Sequence, residues 1–351
     1  MELYNCHIHT FRDCDIPEKF LPLGLVRWLA RRDHKFLFWL AKNINPFCSS
    51  DTVEKYATFI KTGKLKSQTE IFNKCAKFYP SGTKFIVLPM DMAYMQAGKV
   101  PRQYADQLRE LNMVSSDIIK FFHVDPRRPK VEEMVKFFHQ VYDYKGIKLY
   151  PPLGYYPFNA VLMELYKYCE ENNLPIIAHG SPGNPVHFRG SREELYTLLG
   201  VDGTDPRYKK MSYLQLCSIF THPMNYKEVL PHFPKLNFCI AHIGSSAWNE
   251  YLSGDISADN WLSHIIELIH RYDNFWTDIS FTLSDERYWA LFKVMLSSDD
   301  KLASRVLFGS DYYMNEVSDN EKEWSIKFRA FIGEELFRKI AVENPKKFLN
   351  L

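Results

Sequence analysis

The stretch that decides the fold is LPIIAHG, residues 174–180. A short apolar, β-branched run ends there in a histidine and a glycine, as expected of a buried parallel strand. Seven other runs share this character, and most precede a helical pattern. The eight runs are LYNCHIH (3–9), KFIVLPMDM (84–92), IIKFFHVDP (118–126), GIKLYPP (146–152), LPIIAHG (174–180), LNFCIAHIG (236–244), NFWTDISF (274–281) and RVLFGSD (305–311). Strands alternating with helices predict βαβ units, and eight units predict a closed (β/α)₈ TIM barrel.

The alternative architecture is a doubly wound open sheet, but no glycine-rich first turn supports it. We therefore expect one barrel domain over residues 1–351. Two intervals, residues 11–83 and 181–220, are too long for simple crossovers. Both begin just after the carboxyl end of a strand, where barrel enzymes keep their active sites, so we interpret them as lid or interface elements.

Composition excludes several classes of partner. The 351 residues include 44 basic and 42 acidic side chains, a net charge of +2. Such a balance predicts neither a nucleic-acid nor an anionic-lipid partner. The aromatic-rich interval 11–83 instead favours a homodimer, because a large apolar surface must be buried somewhere.

The stretch 19–44 resembles a membrane segment, but five charged residues between Arg27 and Lys35 interrupt it. Apolar residues recur there at helical spacing, which favours two short amphipathic helices packed on the body or on a second subunit, with membrane-surface association as the alternative. Seven scattered cysteines without a CxxC pair indicate reduced thiols. No signal peptide is recognisable, so we expect a cytoplasmic protein.

Two histidines lie one residue apart in the first run. Strand side chains alternate faces, so His7 and His9 point the same way and Ile8 points to the other face. The run ends there, which places both imidazoles at the carboxyl mouth of the barrel. A cation with nitrogen ligands at about 2.0 Å fits between two such rings. Alone, this motif is also compatible with ordinary hydrogen-bonded histidines.

Three other runs end in the same manner, with His179 after the fifth run, His242 after the sixth and Asp311 after the eighth. A barrel brings strand ends together at one mouth. Nitrogen and oxygen ligands of this kind suit Zn²⁺, with Mn²⁺, Fe²⁺ or Co²⁺ as alternatives. The pattern predicts a divalent metal centre.

These motifs resemble the amidohydrolase superfamily of metal-dependent barrels, and within it the amidohydrolase-related branch. The resemblance runs almost from end to end and includes FPKLNFCIAHIG, LFGSD and the closing ENPKKFLNL, which is similar to a terminal Asn-Pro signature. It implies that His7, His9, His179 and Asp311 ligate the principal metal. It also implies that His242 binds a second ion, polarises the substrate or shuttles a proton, and that Asp311 accepts a proton from water.

Lys148, in GIKLYPPLG on the fourth run, has three interpretations. In two-metal members of the resembled family a fourth-strand lysine is carboxylated and bridges the ions. Lys148 could instead hold a substrate carboxylate, or be a structural lysine with a buried stem, since a desolvated ammonium must find some partner. Whether one or two ions bind stays open with it.

Further candidates lie around the predicted mouth. Tyr150 shares a face with Lys148, Asp91 and Arg127 end the second and third runs, and His187 and Arg189 lie on the second insertion, where they could close over an anionic group. We consider Tyr150, Arg127 and Arg189 candidates for substrate binding, although ordinary rim hydrogen bonds would explain each of them. The sequence predicts no role for the other histidines, which are His34, His123, His139, His222, His232, His264 and His270.

The first functional hypothesis is a metal-dependent hydrolase, in which a metal-activated water attacks an amide, ester or lactone carbonyl of a small molecule. Asp311 and His242 would be its catalytic residues. The alternative is non-oxidative decarboxylation of an aromatic or unsaturated carboxylic acid by the same ligand set. The motifs do not separate the two.

Two other classes are less well supported. A metal-dependent phosphodiesterase would usually carry an acidic residue in place of Lys148, and a net charge of +2 gives phosphate backbones little to bind. A catalytically silent barrel would bind a ligand or partner through its insertions, but a degenerate site would usually have lost a ligand.

Overall fold

The computed structural model describes residues 2–20, 61–183, 186–317 and 320–351. All eight predicted strands are present and shorter than the runs that predicted them. They are β1 (Tyr4–Ile8), β2 (Lys84–Val87), β3 (Ile118–Val124), β4 (Gly146–Leu149), β5 (Ile176–Ala178), β6 (Phe238–Ile240), β7 (Phe275–Asp278) and β8 (Val306–Leu307). The two amphipathic helices expected within 19–44 lie almost wholly outside the described residues.

The strands pair in parallel in chain order, from β1 to β8. The first and last strands also meet, because Cys6 N–H donates to Phe308 O at 2.8 Å and Asp311 N–H donates to His7 O at 2.8 Å. An isolated parallel bridge joins Ile8 to Tyr312. The eight strands therefore form a TIM barrel, as predicted, rather than an open doubly wound sheet.

Helices connect the strands on the outside of the barrel. Within the described ranges the α-helices are α1 (Gln68–Ala76), α2 (Tyr104–Leu111), α3 (Val131–Tyr142), α4 (Ala160–Glu171), α5 (Arg192–Leu199), α6 (Pro206–Lys210), α7 (Tyr213–Ile219), α8 (Trp248–Ser253), α9 (Trp261–Arg271), α10 (Trp289–Ser298), α11 (Asp300–Ala303), α12 (Glu321–Ile332), α13 (Glu334–Arg338) and α14 (Asn344–Phe348). No described helix has the length and apolar character that a bilayer span requires.

The barrel interior below the mouth is apolar. Its side chains form one buried cluster, which consists of Tyr4, Cys6, Ile86, Leu88, Phe121, Ile177, Cys239, Ala241, Trp276, Leu307, Phe348 and Leu349. A larger cluster lies between the strands and the helices. The apolar interior fills the barrel below the mouth, where the candidate ligands lie.

The terminal Asn-Pro signature has a structural explanation. The Asn344 side chain donates to the carbonyls of Ala303 at 2.8 Å and Val306 at 2.7 Å, on either side of the start of β8. One turn later the fully buried Phe348 ring packs on Trp276, with 5.7 Å between centroids. The carboxyl terminus therefore fixes β8 and closes the bottom of the barrel.

The second insertion, predicted over 181–220, contains α5, α6 and α7. They enclose a small apolar cluster of their own, which includes Phe188, Leu195 and Leu216. Arg189 Nη1 donates to Phe20 O at 2.6 Å, and so joins this insertion to the start of the first one. The contact places the second insertion beside the described start of the first one, but a role as lid or interface stays a prediction.

Candidate metal centre at the barrel mouth

The side chains predicted to converge lie together. His9 Nε2 is 3.2 Å from Asp311 Oδ1, the rings of His7 and His242 are 5.1 Å apart between centroids, and His242 Nε2 is 3.0 Å from His179 Nδ1. All five residues are at most 6% exposed. Four separate strand ends thus supply one buried polar cluster, because parallel barrel strands end at the same mouth.

Three of the five form the tightest group. The ligand atoms of His7, His9 and Asp311 all lie within 4.8 Å of one another. Asp311 Oδ1 is 3.2 Å from His9 Nε2 and 3.6 Å from His7 Nε2. His179 is close by, on the far side of His242, but it does not belong to this innermost group.

Hydrogen bonds behind the rings fix which nitrogens carry lone pairs. His9 Nδ1 lies 2.7 Å from Leu88 O, and His7 Nδ1 lies 2.8 Å from Asp278 Oδ2. Carbonyl and carboxylate oxygens only accept, so each Nδ1 carries the proton and each Nε2 presents a lone pair. These lone pairs face Asp311 Oδ1, which is buried and accepts no hydrogen bond from the part of the chain that the structure describes. Acceptors that converge in this way attract positive charge; the Lys148 ammonium, 3.5 Å from His7 Nε2, supplies part of it, and the residues present fit a divalent metal.

Asp278, at the end of β7, is a residue of the candidate centre that sequence reasoning missed. It is fully buried, and besides His7 it accepts the backbone N–H of His242 and of Ser280 at Oδ1, each at 3.0 Å. Burial opposes ionisation, but the His7 and His242 contacts hold the pKa of the Asp278 carboxyl far below its ordinary value. The signal was present in NFWTDISF, where Asp278 ends an apolar run as Asp311 ends another.

Ser280 orients the sixth-strand histidine. Its carbonyl and its hydroxyl oxygen both lie 3.0 Å from His242 Nδ1, and its hydroxyl donates to Asp278. With Nδ1 donating to the Ser280 carbonyl, His242 Nε2 is an acceptor, and His179 Nδ1–H is its donor at 3.0 Å. The His179 Nε2 atom then carries a lone pair suited to a metal.

Tyr150 and Thr221 hold His179 in place. The Tyr150 ring stacks on the His179 ring with 4.3 Å between centroids and 23° between planes. The Thr221 hydroxyl donates to the His179 carbonyl. Tyr150 therefore lies at the mouth, where it was predicted, and its contact is with a candidate ligand.

Lys148 lies beneath the centre and is fully buried. Its Nζ atom is 3.5 Å from His7 Nε2 and 5.9 Å from the centroid of the Tyr150 ring. Burial lowers the pKa of the Lys148 ammonium to about 8, against the attraction of Asp278 and Asp311. In turn, burial and then the Lys148 charge lower the pKa of His7 to about 4, so His7 is neutral near pH 7. The three interpretations of Lys148 all remain compatible with this position.

Asp311 is held as a carboxylate. Burial alone would raise its pKa, but a hydrogen bond from His9, when that ring also carries a proton on Nε2, and the nearby rings of His7 and His242 bring the pKa below its ordinary value. Its backbone has a positive φ of 64°, and His242 has a φ of 71°. Both candidate catalytic residues therefore occupy a backbone region that costs a non-glycine residue about 1–3 kcal/mol and that is often found at functional sites.

Other predicted rim residues are engaged elsewhere. Arg127 donates from Nε to Asp125 Oδ1 at 2.8 Å and from Nη2 to Leu153 O at 2.9 Å. Asp91 forms an ion pair with Arg128, and Arg189 makes the bond to the first insertion described above. The substrate-binding roles of Arg127 and Arg189 remain predictions, since a substrate would have to compete with these bonds.

The ring of His187 lies 6.0 Å from that of Tyr213, within the second insertion.

His123 is a second residue that sequence reasoning passed over. It is fully buried on β3, paired in register with Lys148 on β4. Its Nδ1 accepts from Asp91 N–H at 2.7 Å, and its buried Nε2 has no hydrogen-bond partner within the described residues. Burial, followed by the charge of Lys148, holds the pKa of His123 well below its ordinary value, so the ring is neutral. His123 and His7 are each the next-to-last residue of a strand, but the run IIKFFHVDP holds a single histidine and sequence reasoning gave it no role.

Solved structures of known proteins share this fold along the whole chain. A 5-carboxyvanillate decarboxylase from Novosphingobium aromaticivorans, complexed with manganese and 4-hydroxy-3-methoxy-5-nitrobenzoic acid, is 13% identical with a TM-score of 0.59, over 100% of this chain and 96% of that one. A 2,6-dihydroxybenzoate decarboxylase from Rhizobium is 14% identical with a TM-score of 0.56, over 100% and 99%. At such low sequence identities, the similarity establishes the shared fold and no more.

A third similar structure is that of a probable 2-pyrone-4,6-dicarboxylic acid hydrolase from Acinetobacter baumannii with citric acid bound. It is 11% identical with a TM-score of 0.55, over 100% of both chains. No curated protein matches the sequence. A family profile described as amidohydrolase does match, over residues 88–351, which begin directly after β2 and include three of the four strand ends of the centre. The chain therefore belongs to the amidohydrolase family.

Proposed function

We propose that the protein is a metal-dependent hydrolase that acts on an amide, ester or lactone carbonyl of a small molecule. The observation that carries the proposal is the convergence of the His7 and His9 Nε2 lone pairs on Asp311 Oδ1, at 3.6 and 3.2 Å. It combines a ligand set and an ionised carboxylate in one buried place. Such a combination suits a reaction in which water must lose a proton next to a cation.

The residues that would hold the metal are His7, His9 and Asp311, with His179 as the next candidate. A divalent cation bound there supplies an acidic water and polarises a carbonyl. Zinc is our first choice because two imidazoles and a carboxylate are typical zinc ligands, with manganese, iron or cobalt as alternatives.

The chain's own residues supply the proton transfers. Asp311 is ionised, so its carboxylate accepts the proton that water loses and later returns it to the leaving group. His242 presents Nε2 at the centre and is oriented from behind by Ser280, at 3.0 Å from Nδ1. To stabilise a developing oxyanion, His242 would have to carry a proton on Nε2 as well, because an oxyanion needs a hydrogen-bond donor.

Lys148 and Tyr150 shape the substrate side of the centre. A buried ammonium is costly without a partner, and a substrate carboxylate would provide one. The flat face of Tyr150, which already stacks on His179 at 4.3 Å, favours a planar substrate. We therefore propose that the substrate is a small planar carboxylate with a hydrolysable carbonyl.

A second candidate is non-oxidative decarboxylation of an aromatic acid. Two structures with the same fold are decarboxylases of substituted benzoates, and one of them is complexed with manganese. In that reaction Lys148 would bind the carboxylate, and an acid at the mouth would protonate the ring carbon as carbon dioxide leaves. The same ligand set serves both reactions, so the assay must distinguish them.

The test uses purified protein reconstituted with zinc or with manganese. One set of assays contains lactones, esters and amides of planar carboxylic acids, and the other contains dihydroxybenzoates with carbon dioxide measured directly. Hydrolysis that disappears in Asp311→Asn supports the proposal. Release of carbon dioxide without hydrolysis would replace it with the second candidate, and activity equal in Asp311→Asn and wild type would contradict both.

A further inference from the structure

We propose that His222, Asp259 and His264 form a second binding site, for one zinc-class divalent transition ion, on the flank of the barrel. His222 precedes the 3-10 helix Pro223–Glu228, Asp259 lies just before α9, and His264 is on the first turn of α9. None of the three belongs to the centre at the mouth. The sequence alone suggested no role for them.

The distances match those around a tetrahedral ion. Asp259 Oδ1 lies 3.1 Å from His222 Nε2 and 3.2 Å from His264 Nε2. Ligand atoms at about 2.0–2.1 Å from a tetrahedral zinc are about 3.3–3.4 Å apart. All three ligand atoms lie within 4.8 Å of one another, so a small movement would place them around one ion.

The centre at the mouth provides an internal comparison. There the same donor set, two imidazole Nε2 atoms and one aspartate oxygen, has separations of 3.2 and 3.6 Å. The flank group is as compact as the group that we assign to the principal metal. Two imidazoles with a carboxylate favour zinc, nickel, copper or cobalt over magnesium or calcium, which prefer oxygen ligands.

The imidazole rings of the flank group are partly buried, and the Asp259 carboxylate is accessible to solvent. The side chains of His222 and His264 are 21% and 16% exposed, whereas that of Asp259 is 78% exposed. Burial, partly offset by Asp259, lowers the pKa of His222, so its ring is available in the neutral form that ligates metals. The open side leaves room for water to complete the coordination.

One contact restrains the group, and a second one would have to open when an ion binds. The His222 ring packs edge-on against Trp261 at 5.1 Å between centroids, which limits its rotation. Met224 N–H lies 3.3 Å from His222 Nδ1, so in the metal-free ring the proton is on Nε2. An ion at Nε2 moves that proton to Nδ1, and this long contact must then open.

An ion at this site would join two segments that support the mouth. Thr221, next to His222, donates to the His179 carbonyl. Asn260, next to Asp259, donates to Ala247 O at 3.0 Å, in the loop that follows His242. The flank ion would therefore stabilise the positions of His179 and His242 from outside, without contacting the substrate.

The test measures zinc binding to the full chain with His7→Ala and His9→Ala, which remove the principal ligands. Titration calorimetry with zinc chloride should show one remaining site per chain. Adding His264→Ala, or Asp259→Asn, should weaken that site on the order of tenfold or more. The matched control is His270→Ala, at the other end of α9, where the histidine pairs with Asp299 alone at 2.8 Å.

Loss of the remaining site in His264→Ala and Asp259→Asn, with His270→Ala unchanged, would support the proposal. The proposal would be overturned if the protein with His7→Ala and His9→Ala bound no zinc, or if His264→Ala and His270→Ala bound zinc equally well. The three side chains would then be joined by hydrogen bonds alone. If the protein without His7 and His9 does not fold, zinc per chain in otherwise wild-type His264→Ala and His270→Ala decides the same question. The result does not depend on the proposed hydrolase activity, because binding is the readout.

Discussion

The Nδ1–H of His7 donates to Oδ2 of Asp278 at 2.8 Å, from β1 past β8 to the end of β7. Both side chains are fully buried. The carboxylate fixes the proton on Nδ1, turns the Nε2 lone pair toward Asp311, and makes the ring a stronger ligand. Asp278 is thus a positioning residue for the candidate metal centre, and the first prediction concerns it.

Asp278→Asn should weaken metal binding about 10–100-fold, because loss of a carboxylate behind a metal-ligating histidine typically has that effect. The measurement is competition for zinc with a chromogenic chelator. Asp299→Asn is the control, since Asp299 also pairs with a histidine, His270, but at the surface. Wild-type affinity in Asp278→Asn would show that the contact does not position a metal ligand.

Asp311→Asn should lower turnover about 10²–10⁴-fold, the usual contribution of a positioned general base. The amide cannot accept a proton, but it fills the same volume, so thermal unfolding should change little. Turnover is measured on whichever substrate the assays above identify, with circular dichroism as the check on folding. A variant that retains wild-type turnover would remove Asp311 from the mechanism.

Replacement of both His7 and His9 by alanine should remove the principal metal. Two of the three innermost ligands are then absent, and a single carboxylate does not hold a transition ion tightly. Elemental analysis of the purified variant gives the metal content per chain, with His270→Ala as the matched control. Ions bound at the flank are measured separately in His264→Ala and subtracted. If the remaining metal content of the double variant equals that of the control, the ligand assignment is refuted.

Gly309→Ala should disturb the centre although residue 309 carries no functional group. A β-carbon at Gly309 would lie 2.8 Å from the β-carbon of His7, too close for either backbone to stay in place. We expect a loss of about 1–3 kcal/mol in the free energy of unfolding, typical of overpacking, together with weaker metal binding.

Gly63→Ala is the control for this substitution, because the added methyl would find its first neighbour, Tyr313, at 3.4 Å. Chemical denaturation and zinc titration of both variants separate the two effects. If Gly309→Ala is as stable and binds zinc as tightly as Gly63→Ala, the approach of β8 to β1 does not restrain the centre.

Elemental analysis of the wild-type protein bears on Lys148. A second ion next to the principal one would favour the carboxylated lysine, whereas a single ion at the mouth would leave Lys148 for a substrate carboxylate and His242 for proton transfer. The flank site must be counted separately, so the analysis compares wild type with His264→Ala.

The amino-acid sequence by itself determined the barrel and most of its candidate centre. Apolar runs that end in a polar residue locate buried strands and their carboxyl ends, and a parallel barrel brings those ends to one mouth. For this reason His7, His9, His179, His242 and Asp311 could be identified without coordinates. The predicted strands extend several residues beyond the observed ones, because the apolar runs continue into the loops.

Only the tertiary structure decided which partners stand behind and beside these residues. Asp278 and Ser280 contact His7 and His242 from a different strand end, Arg127 is held by its neighbour Asp125, and His222 and His264 meet over Asp259. Such contacts depend on side-chain rotamers and on how strands and helices pack, which no local pattern of residues encodes. Hydrophobic periodicity specifies where the chain is buried, whereas hydrogen-bond geometry between distant segments exists only after the barrel has closed.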